Sequence, residues 1–239
     1  MKPTEKSNMK VSETISDHDV NITDESILHS DIPDISVQPI AKQYLKEVKT
    51  LIPNGNKFYF SDGISETEVK VVSDEIIRIR VAPQGEFLDE FSYAIDDHKF
   101  HLSRIETKET AEYYIVSTNT ISCRIRKSDF LVSFVDLNDF VVNEDSIPMH
   151  WEENAEYGGY YVYCSKKCQE GEHFFGLGDK AADLDMLGKR YTMWGTDAYA
   201  YERDRDTLYK NIPFYIGIHS NVSYGLFFDN TFRSFFFFF

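Results

Sequence analysis

The chain has 239 residues, 42% of them hydrophobic and 15% aromatic, with 25 basic and 40 acidic side chains for a net charge of −15. That length holds one large β domain or two small ones, and the richness in Phe and Tyr favours strands over helices. A surface this acidic repels phosphate backbones and anionic lipid, so nucleic acid and membrane are set aside as partners and the charge reads first as a source of solubility.

In chain order, residues 1–36 are rich in Ser, Thr, Asp, Glu and Asn and contain no aromatic. They carry too little apolar surface to offset the entropy of ordering, so a disordered acidic tail is expected. Ile32-Pro33-Asp34-Ile35 is the stretch of it that could lie on a partner. From Val37 the pattern changes to alternation, and a domain over 37–239 is expected. Strands are predicted at 57–60, 68–72 and 76–81, the second and third joined by a short turn at Ser73-Asp74-Glu75. In Ile76-Ile77-Arg78-Ile79-Arg80-Val81 the period of two predicts one face in a core and the arginines in solvent.

Strands at 113–117, 121–125 and 131–135 follow, joined by the turn residues Thr118-Asn119 and Lys127-Ser128-Asp129. Further strands are predicted at 160–164, 214–219 and 224–228. There is no long amphipathic helix and no internal repeat, and many short strands at this spacing predict an all-β sandwich. Gly176-Leu177-Gly178 before Asp179-Lys180 is read as a sharp turn between strands. It is not a phosphate loop, because neither G-x-x-x-x-G-K-[S/T] nor a following apolar helix is present.

Three cysteines, Cys123, Cys164 and Cys168, cannot all pair, and reduced thiols are expected. Cys164 and Cys168 have the spacing of half a zinc site, without a second Cys pair or H-x-x-x-H, so no metal is expected. No apolar run is long enough to cross a bilayer, and the first residues lack the apolar core of a secretory signal, so the expected setting is cytoplasmic.

The chemistry-bearing stretch is Trp194-Gly195-Thr196-Asp197, followed by Ala198-Tyr199-Ala200-Tyr201. Sugars are held by carboxylates that accept hydroxyl hydrogen bonds and by aromatic rings that pack on C–H faces. Asp197 with Trp194, Tyr199 and Tyr201 supplies both ingredients, although an ordinary surface loop has the same composition. Glu202-Arg203-Asp204-Arg205-Asp206 reads as a solvated loop, and Leu208-Tyr209-Lys210-Asn211-Ile212-Pro213-Phe214 as scaffold in which Pro213 opens a strand.

The ordered series G-L-G-[D/E]-K at 176–180, W-x-x-D at 194–197, L-Y-x-x-x-P-F at 208–214 and Y-G-x-x-x-D-N at 224–230 resembles the N-terminal β-sandwich region of glycoside hydrolase family 31, the α-glucosidase family. The match is strongest from Phe174 to Phe236 and weaker back to about Val37. Asp74-Glu75-Ile76-Ile77-Arg78-Ile79-Arg80-Val81-Ala82-Pro83 also looks like the family's early strand. The resemblance implies a galactose-mutarotase-like β-sandwich, or supersandwich. It implies that Asp197 contacts substrate hydroxyls beyond the cleaved bond, on a loop reaching over a (β/α)8 catalytic barrel. That barrel supplies nucleophile and acid/base for hydrolysis of α-glucosides with retention, and no cofactor is needed.

The family's nucleophile segment, W-x-D-M-x-E in type, is absent, so no catalytic residue is expected on this chain. Asp185-Met186 lacks the flanking residues and precedes Trp194. Where the family continues Asp-Phe-Gly, this chain has Phe237-Phe238-Phe239, which suggests an end truncated before the barrel by a slipped frame in a T-rich run. Resequencing that finds no barrel-coding frame downstream would sink this idea. A sandwich without its barrel, ending in five phenylalanines, is expected to be poorly soluble.

Two other functions compete. One is a stand-alone carbohydrate-binding or interaction module, or an inactive truncated product. The other is mutarotase-like chemistry through His173, His219 and Glu172, which fold likeness alone does not transfer. The remaining histidines, His18, His29, His98, His101 and His150, are scattered and read as surface or strand-end packing.

Overall fold

A computed structural model describes residues 41–96, 100, 102 and 104–239. The expected tail over 1–36, the domain start at Val37, and His18, His29, His98 and His101 lie outside the described residues. These form sixteen strands: β1 (Gln43–Tyr44), β2 (Thr50–Asn54), β3 (Lys57–Ser61), β4 (Glu66–Val71), β5 (Ile77–Ala82), β6 (Glu106–Glu109), β7 (Tyr113–Ser117), β8 (Ile121–Arg126), β9 (Val132–Asp136), β10 (Val141–Glu153), β11 (Tyr160–Lys166), β12 (His173–Gly178), β13 (Arg190–Met193), β14 (Asn211–His219), β15 (Val222–Phe227) and β16 (Ser234–Phe237). Among the described residues there is no helix.

A four-stranded sheet, β2-β3-β4-β5, faces a seven-stranded sheet ordered β1-β10-β9-β8-β7-β6, with β11 also on β10. Between them lies one apolar core. Phe58, Phe60, Val69 and Val71 come from the smaller sheet, and Val116, Cys123, Ile125, Val132 and Trp151 from the larger. The alternation of these strands is what permits it, since every second side chain faces the other sheet.

The arginines of β5 are only partly in solvent, each side chain 26% exposed. Arg78 donates to Glu68 Oε1 at 2.8 Å, and Glu68 is itself buried. Glu90, from the segment following β5, reaches back to Lys57, to Lys70 at 3.3 Å and to Arg78 at 2.9 Å. The outer face of this sheet is thus a charge network beneath chain rather than open surface. A period of two reports which residues share a face, not what later chain lies on it.

The thirteen-residue β10 escapes prediction because its alternation is broken. Its register shifts twice against β11, between Asp145 and Ile147 and between Ile147 and His150, with Pro148 inside the second shift. It pairs with β9 near its start and with β1 and β11 farther on. Bulges re-aim side chains and spoil any simple period.

A second core unites β12, β14, β13 and β16. Phe174, Leu177 and Tyr215 pack with Met186, Tyr191, Met193, Phe236 and Phe238. Three of the terminal phenylalanines, Phe235 to Phe237, lie in β16, with Thr192 opposite Phe235 and Tyr191 opposite Phe236. Phe236 and Phe238 are 8% and 5% exposed, whereas Phe235 and Phe237 are 56% and 58% exposed.

Gly176-Leu177-Gly178 is likewise not a turn between strands but the end of β12, still paired with β14 across a register shift. Gly176 and Gly178 have φ of 139° and 81°, and Leu177 between them has φ of 63°. A Cβ on Gly178 would sit 2.5 Å from the Lys210 carbonyl oxygen, and one on Gly176 2.5 Å from that of Phe214. Only glycine fits that approach. Pro213 stands inside β14 rather than opening it; its carbonyl accepts from Phe228 N at 2.8 Å, and its missing N–H leaves that exchange one-sided.

Candidate functional site

β13 delivers the chain into a loop over 194–210 that returns at β14. A loop this long inside a compact domain is usually functional, and this one is locked at its base. Thr192 N donates to both carboxylate oxygens of Asp206, at 2.8 and 2.9 Å. Trp194 N donates to Asn211 Oδ1 at 3.2 Å, and Thr196 N to the Leu208 carbonyl at 3.1 Å. Ala198 and Leu208 are buried and anchor the loop's underside. Ala200 and Asp204 take φ of 50° and 67°, which folds the tip back on itself.

On this frame Asp197 is exposed. Its sequence neighbours Trp194, Tyr199 and Tyr201 are 51%, 94% and 52% exposed. The scaffold expected over 208–214 holds for Leu208, which is buried, whereas Tyr209 is exposed. The Tyr209 hydroxyl donates to the Ala198 carbonyl at 3.0 Å. Partial desolvation, then the nearby Asp197 carboxylate, push this phenol above its ordinary range. The presence of an aromatic twelve residues after Asp197 was legible; the fold of the loop that brings them together was not.

An open cleft of about 390 Å³ adjoins the loop, lined by Trp194, Gly195, Asn211, Asn230, Phe232 and Ser234 among others. Asp197 does not line it. Arg233 lies over the Trp194 ring at 6.0 Å and over that of Phe235 at 5.3 Å. Asn230 is structural: its Oδ1 accepts from Phe232 N at 2.9 Å and Ser234 Oγ at 3.3 Å, shaping the entry to β16.

The histidine reading is corrected by burial. Glu172 is 1% exposed, and its carboxylate accepts from the Tyr224 hydroxyl and Gln169 N, both at 2.7 Å. His219, also buried, donates through Nε2 to the Val142 carbonyl at 3.0 Å, bridging β14 to β10. His173 faces elsewhere, with Nδ1 2.6 Å from Asp185 Oδ2. Proton transfer to a sugar needs these groups on an accessible surface, and two of them are sealed.

Asp185 is a turn former, accepting from Leu187 N at 3.1 Å, and Met186 fills the second core. The three thiols are free. Among the described residues no three His, Cys, Asp or Glu side chains are arranged to hold a metal.

Residues 66–236 match the model of the glycosyl hydrolase 31 N-terminal galactose mutarotase-like domain. The chain is 30% identical over 181 residues to alpha-glucosidase 2 of Bacillus thermoamyloliquefaciens, covering 74% of this chain and 22% of that protein. It is 41% identical over 73 residues to an alpha-glucosidase of Saccharolobus solfataricus, covering 30% of this chain and 10% of the other. A GH31 dextranase of Flavobacterium johnsoniae, solved in complex with isomaltotriose, superposes with a TM-score of 0.68 at 27% identity, over 82% of this chain and 24% of the dextranase. The matched region is thus less than a quarter of each of these relatives.

Proposed function

The chain belongs to the glycosyl hydrolase 31 N-terminal galactose mutarotase-like domain family, and from that premise we propose that it is the sugar-positioning, non-catalytic domain of an α-glucosidase-like enzyme. The loop over 194–210 presents the Asp197 carboxylate to hydroxyls of an α-glucoside beyond the cleaved bond. A (β/α)8 barrel supplies the chemistry: a nucleophile and an acid/base about 5–5.5 Å apart, acting by double displacement with retention. This chain contributes orientation, which raises the rate by holding the substrate where those groups reach it. Three free thiols support an intracellular setting for it.

The observation that carries the reading is the exposed Asp197 among exposed Trp194, Tyr199, Tyr201 and Tyr209 on a loop with a locked base. A carboxylate facing neutral hydroxyls makes a charge-assisted hydrogen bond, and a ring beside it packs on the sugar's C–H face. Tyr209 lies close enough to the carboxylate to feel its charge, and its hydroxyl braces the loop at the Ala198 carbonyl. The solved dextranase holds isomaltotriose, which makes that trisaccharide the natural probe.

Saturation-transfer NMR with isomaltotriose tests it. The chain is expected to give transfer that weakens about tenfold or more in Asp197→Ala, as for loss of one charged hydrogen bond. Transfer unchanged by that substitution, or absent altogether, removes Asp197 from sugar contact.

A further inference from the structure

The buried lysine beneath the loop has no role in the reading so far. Lys180 follows the Gly176-Leu177-Gly178 bulge at the end of β12, and its side chain is 4% exposed. Its ammonium donates to the Thr192 carbonyl at 3.0 Å and to the Asp206 carbonyl at 3.2 Å, with an Asp206 carboxylate oxygen at 3.7 Å. The Tyr191 ring lies 5.6 Å from it.

Thr192 stands just before the loop and Asp206 near its return, so one cation holds both strands of the loop's neck. Burying an ammonium is unfavourable unless each proton finds an acceptor, and here the neck provides the acceptors. Burial lowers the Lys180 pKa while Asp206 opposes that, as expected for a charge retained by its partners. Asp206 completes the arrangement by accepting from Thr192 N on both oxygens.

We propose that Lys180 is the positioning residue of the sugar-contacting loop, clamping its neck so that Trp194 and Asp197 are held in one placement. The clamp itself is a property of the fold; its consequence for sugar rests on the reading of Asp197 above. The bulge explains how the clamp is delivered. The left-handed backbone at 176–178 buries Leu177 in the second core and sends the next residues, Asp179 and Lys180, under the neck. Asp179 N then donates to the Lys210 carbonyl at 2.9 Å, tying the same segment to the loop's far end.

The test uses the full chain labelled with 5-fluorotryptophan. Its two tryptophans give separate ¹⁹F signals, assigned through Trp194→Phe, with Trp151 in the first core reporting overall folding. In Lys180→Met the Trp151 signal is expected to stay while that of Trp194 shifts and broadens. Trypsin cleavage at Arg203 and Arg205 is expected to rise about tenfold or more, following the population of the open loop. Lys180→Arg, which keeps charge and donors, is expected to return both readouts toward the original.

An unchanged Trp194 signal in Lys180→Met overturns the clamp. So does Lys180→Arg behaving as Lys180→Met, since a cation with donors at this position would then not be what holds the neck. If Lys180→Met loses both signals, Asp206→Asn decides: a disturbed Trp194 with intact Trp151 supports the clamp, and no disturbance overturns it. Isomaltotriose binding separates the two proposals. A loop opened by Lys180→Met with binding indifferent to Asp197→Ala keeps the clamp and discards the sugar reading. Binding lost in Asp197→Ala with the loop unmoved in Lys180→Met does the reverse.

Discussion

Glu90 shows how a single carboxylate is set by what surrounds it. Burial alone would raise its pKa, but hydrogen bonds from Lys57, Arg78 and Lys70 hold it down to about 2. Because the folded value lies below the ordinary 4.5, folding favours the ionised form. The stability it adds is therefore complete above the ordinary value and is lost as pH falls from there toward about 2. Calorimetric melting between pH 5 and 3 is expected to show a steeper fall in Tm for the native chain than for Glu90→Gln; parallel curves would dissociate Glu90 from acid stability. Asp197 is the opposite case, an exposed carboxylate on the loop over 194–210. Its place as the candidate acceptor comes from Trp194-Gly195-Thr196-Asp197 in the sequence, whereas its Tyr209 neighbour and the Lys180 contacts were not legible there. Hydrogen bonds across a folded loop leave no periodic trace in the sequence.

At the scale of elements, the β12 bulge joins backbone strain to the site. Gly178 sits at φ of 81° with the Lys210 carbonyl where a Cβ would be. Gly178→Ala is expected to cost about 1–3 kcal/mol, the range for a side chain forced into a sparsely populated backbone region. Urea unfolding measures the loss, and trypsin cleavage at Arg203 is expected to rise with it because Lys180 is displaced. Stability lost without loop opening would separate the bulge from the clamp. Strand positions with clean alternation, such as β3, β7 and β8, were readable to within a residue or two. β10 was not, because it changes partners along its length, and β12 was mistaken for a turn because its glycines signal left-handed backbone without saying whether the ladder continues through it.

For the whole molecule, the relevant division is between the two cores and the apolar surface outside them. Phe235, Phe237 and Phe239 lie outward on or beside β16, with Ile216 and Ile218 outward on β14. This is an apolar exterior on a strongly acidic chain, and it is expected to bind a hydrophobic dye and to favour self-association at high concentration. Replacing Phe235, Phe237 and Phe239 together by Ser is expected to reduce dye binding with little change in Tm. Phe236→Ala, one residue away from two of them, is expected to cost about 3–5 kcal/mol through the cavity it opens. Equal effects from the two substitutions would contradict the alternation of β16. The expectation that all five terminal phenylalanines add to an exposed patch therefore holds for three of them and fails for Phe236 and Phe238.

Sequence by itself determined the all-β class, most strand positions between Lys57 and Val135, the family resemblance through four ordered motifs, and Asp197 as the candidate contact. These are readable because a strand's period of two and a motif's spacing are local properties of the chain. Tertiary structure alone decided that Glu172 and His219 are sealed links between strands, that Glu90 covers the arginines of β5, and that Lys180 joins Thr192 to Asp206. Each depends on which distant segments meet, and burial in one shared environment converts residues that look alike in sequence into a core, a clamp or an exposed site.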